Sequence, residues 1–237
     1  MSAFFGPEPV RLQFKQFSWL HAASLGGLAV GSAATVALRK YFRNNPRLRR
    51  WTPIALGCPV WALEIVYHAW NYVHDFNFVV NLVPLELCSI ALWMTVAICF
   101  TRSQAIFEIY YFLSVGALAA LAFPDFGAYG PDHIRYWMYF ACHGFIVWLT
   151  VWMLAVEGQR LRPGTFRRLL MVIAPLIGLI RFVNKKFNTN YMYLAGPTGS
   201  SSPLDFLGTG LGYFIKLILL VLAAFTLLYL IAPKARA

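Results

Sequence analysis

Seven apolar runs, each close to the roughly 20 residues that carry a helix across a bilayer, recur along this chain and leave little else. They lie at roughly 17–38, 51–73, 82–101, 104–123, 134–156, 166–183 and 210–232. In hydrocarbon every backbone N–H and C=O must find its partner within the protein, which restricts such runs to helices. The charged fraction is 12% and the mean hydropathy +0.61, whereas soluble domains carry about 25% charge. The chain is therefore read as all-α: a polytopic membrane helix bundle of about seven transmembrane helices, forming one integral membrane domain over 1–237. The sixth run is the shortest and contains Pro175 and Gly178, so it is expected to be interrupted. The longest polar stretch, 184–209, includes the turn-rich GPTGSSSP and is expected to be an outer capping loop.

Lysine and arginine set the orientation, because short cytoplasmic loops retain them. The segments 39–50, 102, 157–168 and 233–237 together hold 13 basic residues, against six on the other side (Arg11, Lys15, Arg135, Arg181, Lys185 and Lys186). This places the N-terminus outside and the C-terminus in the cytoplasm, in a plasma (cytoplasmic) membrane, or in an endomembrane if the source is eukaryotic. Asp75, Asp125, Asp132 and Asp205 then all fall outside.

The net charge of +11 does not indicate nucleic acid, since the basic residues sit between apolar runs as topology signals and contacts to anionic lipid. Cys58, Cys88, Cys99 and Cys142 lie in apolar segments with no CxxC, which argues against a disulfide framework and against a metal site; no cofactor is expected. The N-terminal MSAFFGPEPVRLQFKQF lacks the regions of a signal peptide, so the first span is expected to act as its own insertion signal.

Ionisable groups inside a membrane are costly, and each is a candidate for function. Glu64 and His68, four residues apart, share a helix face in the outer half of the second run, with Asn71 close to the same stripe. At about 1.5 Å per residue, Glu86 and Cys88 lie within about 10 Å of the outer boundary and His143 lies about 14 Å deep. Three helices thus present Glu64, His68, Glu86, Cys88 and His143 at similar depth. Taken singly, each has a plain structural reading: a buried cysteine is usually a small hydrophobe, as expected of Cys58, Cys99 and Cys142. Glu64 and His68 can form a structural pair, His143 can bond a neighbouring helix, and Glu108, near a cytoplasmic end, can snorkel. Taken together they fit nucleophilic chemistry. An imidazole takes the proton of a thiol and returns it to a leaving group, while a carboxylate orients the ring. Cys88, His143 and Glu86 are the catalytic candidates. Glu64, His68, Asn71, Arg181, Lys185 and Asn190 are candidates for substrate binding, with Arg181 and Lys185 placed to hold a phosphate. The expected partners are the bilayer and a phospholipid or acyl-lipid substrate.

VPLELCSIALW (83–93) resembles the "LPLHLC" segment of the YwaF-type bacterial integral membrane proteins. FPDFG (123–127), CHG (142–144), Asn184, NYMYL (190–194) and SPLDFLG (202–208) follow in matching order. That family is similar to the eukaryotic transmembrane protein 164 group, whose members are implied to be lipid acyltransferases using an intramembrane cysteine and histidine. The resemblance carries His143 and Cys88 into those roles. It departs from the bacterial pattern at Glu86, where a histidine is expected, and at Ser89, where an acid is common.

Two other classes compete with an acyltransferase or lipid hydrolase. A proton-coupled transporter or permease would also use buried Glu and His, although no repeated halves are visible. A retinal protein would use Lys216 in the last run, but lacks the aspartate-rich third span expected of that class.

Overall fold

The computed structural model describes residues 3–7, 12–74, 83–197 and 202–235. Arg11, Asp75, Arg236 and the serine-rich centre of 196–203 lie outside these. Among the described residues the chain forms eight α-helices and no strand: α1 (Trp19–Ala37), α2 (Arg39–Asn44), α3 (Pro46–Val73), α4 (Leu87–Thr101), α5 (Gln104–Ala122), α6 (Ile134–Ala155), α7 (Thr165–Phe187) and α8 (Gly210–Ile231).

Side-chain caps fix several helix starts. Ser18 Oγ accepts from His21 N, Asn45 Oδ1 from Leu48 N with Pro46 in the first turn, and Ser103 Oγ from Ile106 N. At the other ends, Arg102 after α4 and Asn188 after α7 take left-handed backbone conformations that stop the helix.

By length and composition α1, α5, α6 and α8 can each cross a membrane, and the chain is a multi-pass membrane protein. The other three predicted spans look different in the structure. The second begins at Pro46, five residues ahead of its apolar run, so α3 carries Arg47, Arg49 and Arg50 in its opening turns. The third starts at Leu87 and is only 15 residues long. Pro84 disfavours helix in the residue before it, and Glu86 is extended (φ −75°, ψ 150°). The sixth is not broken: α7 continues through Pro175 for 23 residues. The basic segment 39–50, read as a loop, contains α2.

α5 is the central helix, packed against α4, α6, α7 and α8. Phe107, Tyr110, Phe112 and Leu113 on α5 and Leu149, Trp152 and Met153 on α6 are fully buried in one core. A smaller cluster joins α7 and α8 to the segment that follows α7: Tyr191 and Leu194 pack with Ile180, Tyr213 and Leu217.

Two carboxylates close the basic end of the bundle. Glu157 accepts from Arg49 Nε (2.9 Å) and Nη2 (2.6 Å) and lies 3.4 Å from Arg102 Nε. Glu108 does not snorkel: it is 1% exposed and binds Arg162 and Arg168.

Candidate functional site

α3 and α6 pack face to face, which brings Glu64 against Cys142. The Cys142 thiol donates to Glu64 Oε2 at 3.8 Å, and His68 Nε2 lies 3.4 Å from Glu64 Oε1. One carboxylate therefore bridges a thiol and an imidazole. Glu64 is buried, and His68 Nδ1 is buried with no hydrogen-bond partner among the described residues. The spacing of Glu64 and His68 announced their shared face. Cys142 was expected to be a plain hydrophobe, and only the packing of two distant segments reveals its carboxylate.

His143 follows Cys142 on α6. Its Nδ1 lies 2.8 Å from the carbonyl oxygen of Tyr139, one turn earlier. A carbonyl can only accept, so Nδ1 carries the proton and Nε2 presents a lone pair, the form a general base requires. The ring is held in place by an aromatic stack. Tyr139 lies 4.3 Å from the imidazole centroid, Phe126 stacks on Tyr139 at 4.4 Å, and Tyr139 Oη donates to Ala120 O at 2.7 Å. Phe126 comes from FPDFG, so that motif orients His143 from outside its own helix.

Cys88 sits half-buried in the first turn of α4. Gly116 of α5 permits the close approach: a Cβ there would lie 3.1 Å from Leu87 Cβ and 3.6 Å from Cys88 N. The Glu64 carboxylate falls within electrostatic range of Cys88, Cys142 and His143, which puts residues from α3, α4 and α6 in one neighbourhood. No hydrogen bond joins Cys88 to His143.

Glu86 turns to the segment after α7. Its Oε2 accepts from Met192 N at 2.9 Å, and Met192 and Tyr193 both have positive φ (55° and 54°). That is a rare conformation for residues with side chains, so it needs outside support. Asn184 supplies more of it: Oδ1 accepts from Tyr191 N (2.9 Å) and Thr189 Oγ1 (2.8 Å), and Nδ2 donates to Tyr191 O (3.0 Å). Tyr213 Oη reaches Tyr193 O at 2.9 Å. Burial first, then the nearby Glu86 and Asp125 carboxylates, push the Tyr193 phenol well above its ordinary pKa. Tyr193 sits in a segment noticed by sequence but given no role there.

The other predicted binding residues are held elsewhere. Asn71 is buried and donates to Tyr67 O on its own helix at 3.0 Å. Arg181 lies 4.0 Å over the Phe214 ring, Lys185 is exposed, and Asn190 closes its own turn through Ala195 N and Gly196 O. Among the described residues no hydrogen bond or ion pair links these four to Glu64, His68, Cys88, Cys142 or His143. Among the described residues no group of three His, Cys, Asp or Glu side chains is arranged to hold a metal ion.

Chemically, the arrangement offers an oriented imidazole base, two thiols on neighbouring helices and a carboxylate between helices. No curated protein matches the chain. No solved structure matches it. A family model, described as the TMEM164 family, matches residues 16–229.

Proposed function

The chain belongs to the TMEM164 family, and from that premise we propose that it is an integral membrane lipid acyltransferase or lipid hydrolase working through Cys88 and His143. His143 Nε2 takes the Cys88 proton. The thiolate attacks the ester carbonyl of an acyl lipid, a C–S bond forms, and the C–O bond to the alcohol breaks. The alkoxide leaves with the proton from Nε2. A second hydroxyl, from another lipid or from water, then loses its proton to Nε2 and attacks the thioester, and the thiol is regenerated. Glu86 and Asn184 act as positioning residues that hold the Tyr191–Tyr193 turn beside the start of α4. Arg181 and Lys185, on the basic-poor side, meet the headgroup.

The observation that best supports this reading is the hydrogen bond from His143 Nδ1 to Tyr139 O, which leaves the Nε2 lone pair available for base chemistry next to Cys142 in the chain. The motifs VPLELCSIALW and CHG, which resemble those of implied acyltransferases, support it further. On the same reading the N-terminus lies outside, seven segments cross, and the site opens to the outer leaflet.

Incubating the purified protein with a phospholipid carrying a labelled acyl chain, with and without an acceptor lipid, tests the proposal. Wild type should release or transfer label, and Cys88→Ser and His143→Ala should fall to background while remaining folded. Full turnover by both variants rejects the assignment.

A second reading, a proton-coupled transporter, is favoured by one observation, the buried Nδ1 of His68 beside Glu64, which has no hydrogen-bond partner among the described residues. It predicts proton flux into vesicles that survives Cys88→Ser and is lost in Glu64→Gln.

A further inference from the structure

At the other end of the bundle, α5 and α7 hold a second arrangement of charge over apolar surface. Glu108 Oε1 accepts from Arg162 Nε (2.7 Å), Arg162 N (3.2 Å) and Gln104 Nε2 (3.1 Å). Its Oε2 accepts from Arg162 Nη2 (3.2 Å) and Arg168 Nη2 (2.8 Å). Arg168 is fixed further by donating to Thr165 Oγ1 (2.8 Å) and Pro163 O (3.1 Å). The carboxylate is 1% exposed, but the Arg162 and Arg168 side chains remain 47% and 38% exposed. Two cations on one inward-facing anion leave a net positive platform, and the exposed Arg167 precedes Arg168 in the chain.

Directly below runs a groove of about 300 Å³ between the opening turns of α5 and α7. Ala105, Ile109, Met171 and Val172 line it together with Glu108 and Arg168, its two charged residues. Met171 and Val172 are 60% and 46% exposed, on the outward surface of the bundle. Ile109 is five residues into α5, about 8 Å along the axis from its start. Met171 and Val172 lie three and four residues past Arg168 on α7, about 4.5–6 Å further along the axis, so the groove runs from the charged platform toward the apolar middle of the bundle.

We propose that this platform and groove bind an anionic phospholipid, its phosphate on Arg168 and Arg162 and the start of one acyl chain along Ile109, Met171 and Val172. The geometry selects a lipid because the groove opens outward from the bundle of a membrane protein. It selects an anion because the Glu108 oxygens are consumed by five donors, leaving guanidinium as the charge on offer. Planar, pre-fixed guanidiniums suit phosphate oxygens and lose little entropy on binding. The basic excess of this side of the chain, 13 of 20 lysines and arginines, adds attraction for anionic headgroups. This site is independent of the Cys88 and His143 assignment.

The test uses the full chain in neutral detergent and follows its melting temperature while phosphatidylglycerol, phosphatidylcholine of the same acyl chains, or glycerol 3-phosphate is added. The expected result is a saturable rise with phosphatidylglycerol alone. Val172→Trp, which fills the acyl-chain part of the groove from outside and leaves every Glu108 hydrogen-bond partner in place, should shift the phosphatidylglycerol midpoint by about tenfold, the worth of roughly two buried methylenes. Equal responses to the two lipids, a full response to glycerol 3-phosphate, or a Val172→Trp response identical to wild type would each overturn the proposal. Arg168→Gln should weaken binding as well; if that variant does not fold, the Val172→Trp comparison decides alone.

Discussion

Cys142 and Cys88 differ in what surrounds them, and that difference makes the nucleophile testable. Cys142 gives its hydrogen to Glu64, whereas among the described residues no side chain forms a hydrogen bond with Cys88. Cys88→Ser should fall to background, because it removes the thiolate nucleophile. Cys142→Ser, which keeps a donor for Glu64, should retain most activity in the same labelled-lipid assay. The reverse pattern would move the nucleophile to Cys142. The sequence made five of these residues visible, because a charge or imidazole within an apolar run is costly wherever it faces. It hid the partners. Nothing in CHG discloses that the thiol meets a carboxylate 78 positions away, or that Phe126 and Tyr139 brace the ring. Glu108 was misread for the same reason, its two arginines lying 54 and 60 positions along the chain.

At the scale of elements, the start of α4 matters most. Its apolar run reads as one span from 82, yet Pro84 and the extended Glu86 delay the helix to Leu87 and leave Cys88 in an opening turn pressed on Gly116. A large side chain at Gly116 meets Leu87 Cβ at once. Gly116→Leu should displace this turn and reduce turnover by about 10²-fold, as small misplacements of reacting groups do, with helical content by circular dichroism unchanged. The segment after α7 depends similarly on Asn184, whose side chain bonds Tyr191 N, Tyr191 O and Thr189 Oγ1. Asn184→Ala leaves buried polar groups unpaired and should destabilise the protein by about 1–3 kcal/mol in a denaturant titration. Periodicity could not foresee this segment, since two left-handed residues in NYMYL carry no compositional mark.

For the whole molecule, apolar run length disclosed the helix bundle and the multi-pass character, because hydrocarbon allows a chain so few alternatives. It was less informative about crossings, since α3 and α7 mix charged turns with apolar ones and α4 is short. Orientation is checked by a cysteine introduced at position 44: Asn44→Cys should resist an impermeant thiol reagent on intact cells and react after permeabilisation, measured against the unsubstituted chain. Removing both arginine side chains that neutralise Glu108, in Arg162→Ala with Arg168→Ala, leaves a buried carboxylate without a cation and should cost about 3–5 kcal/mol of stability. The central claim is that acyl groups pass through Cys88. Mass spectrometry of the Cys88 peptide, after brief incubation with an acyl-donor phospholipid and acid quench, tests it most directly. The account predicts a hydroxylamine-labile acyl group on Cys88 that is absent from His143→Ala; an unmodified Cys88 in a protein still turning over lipid would contradict it.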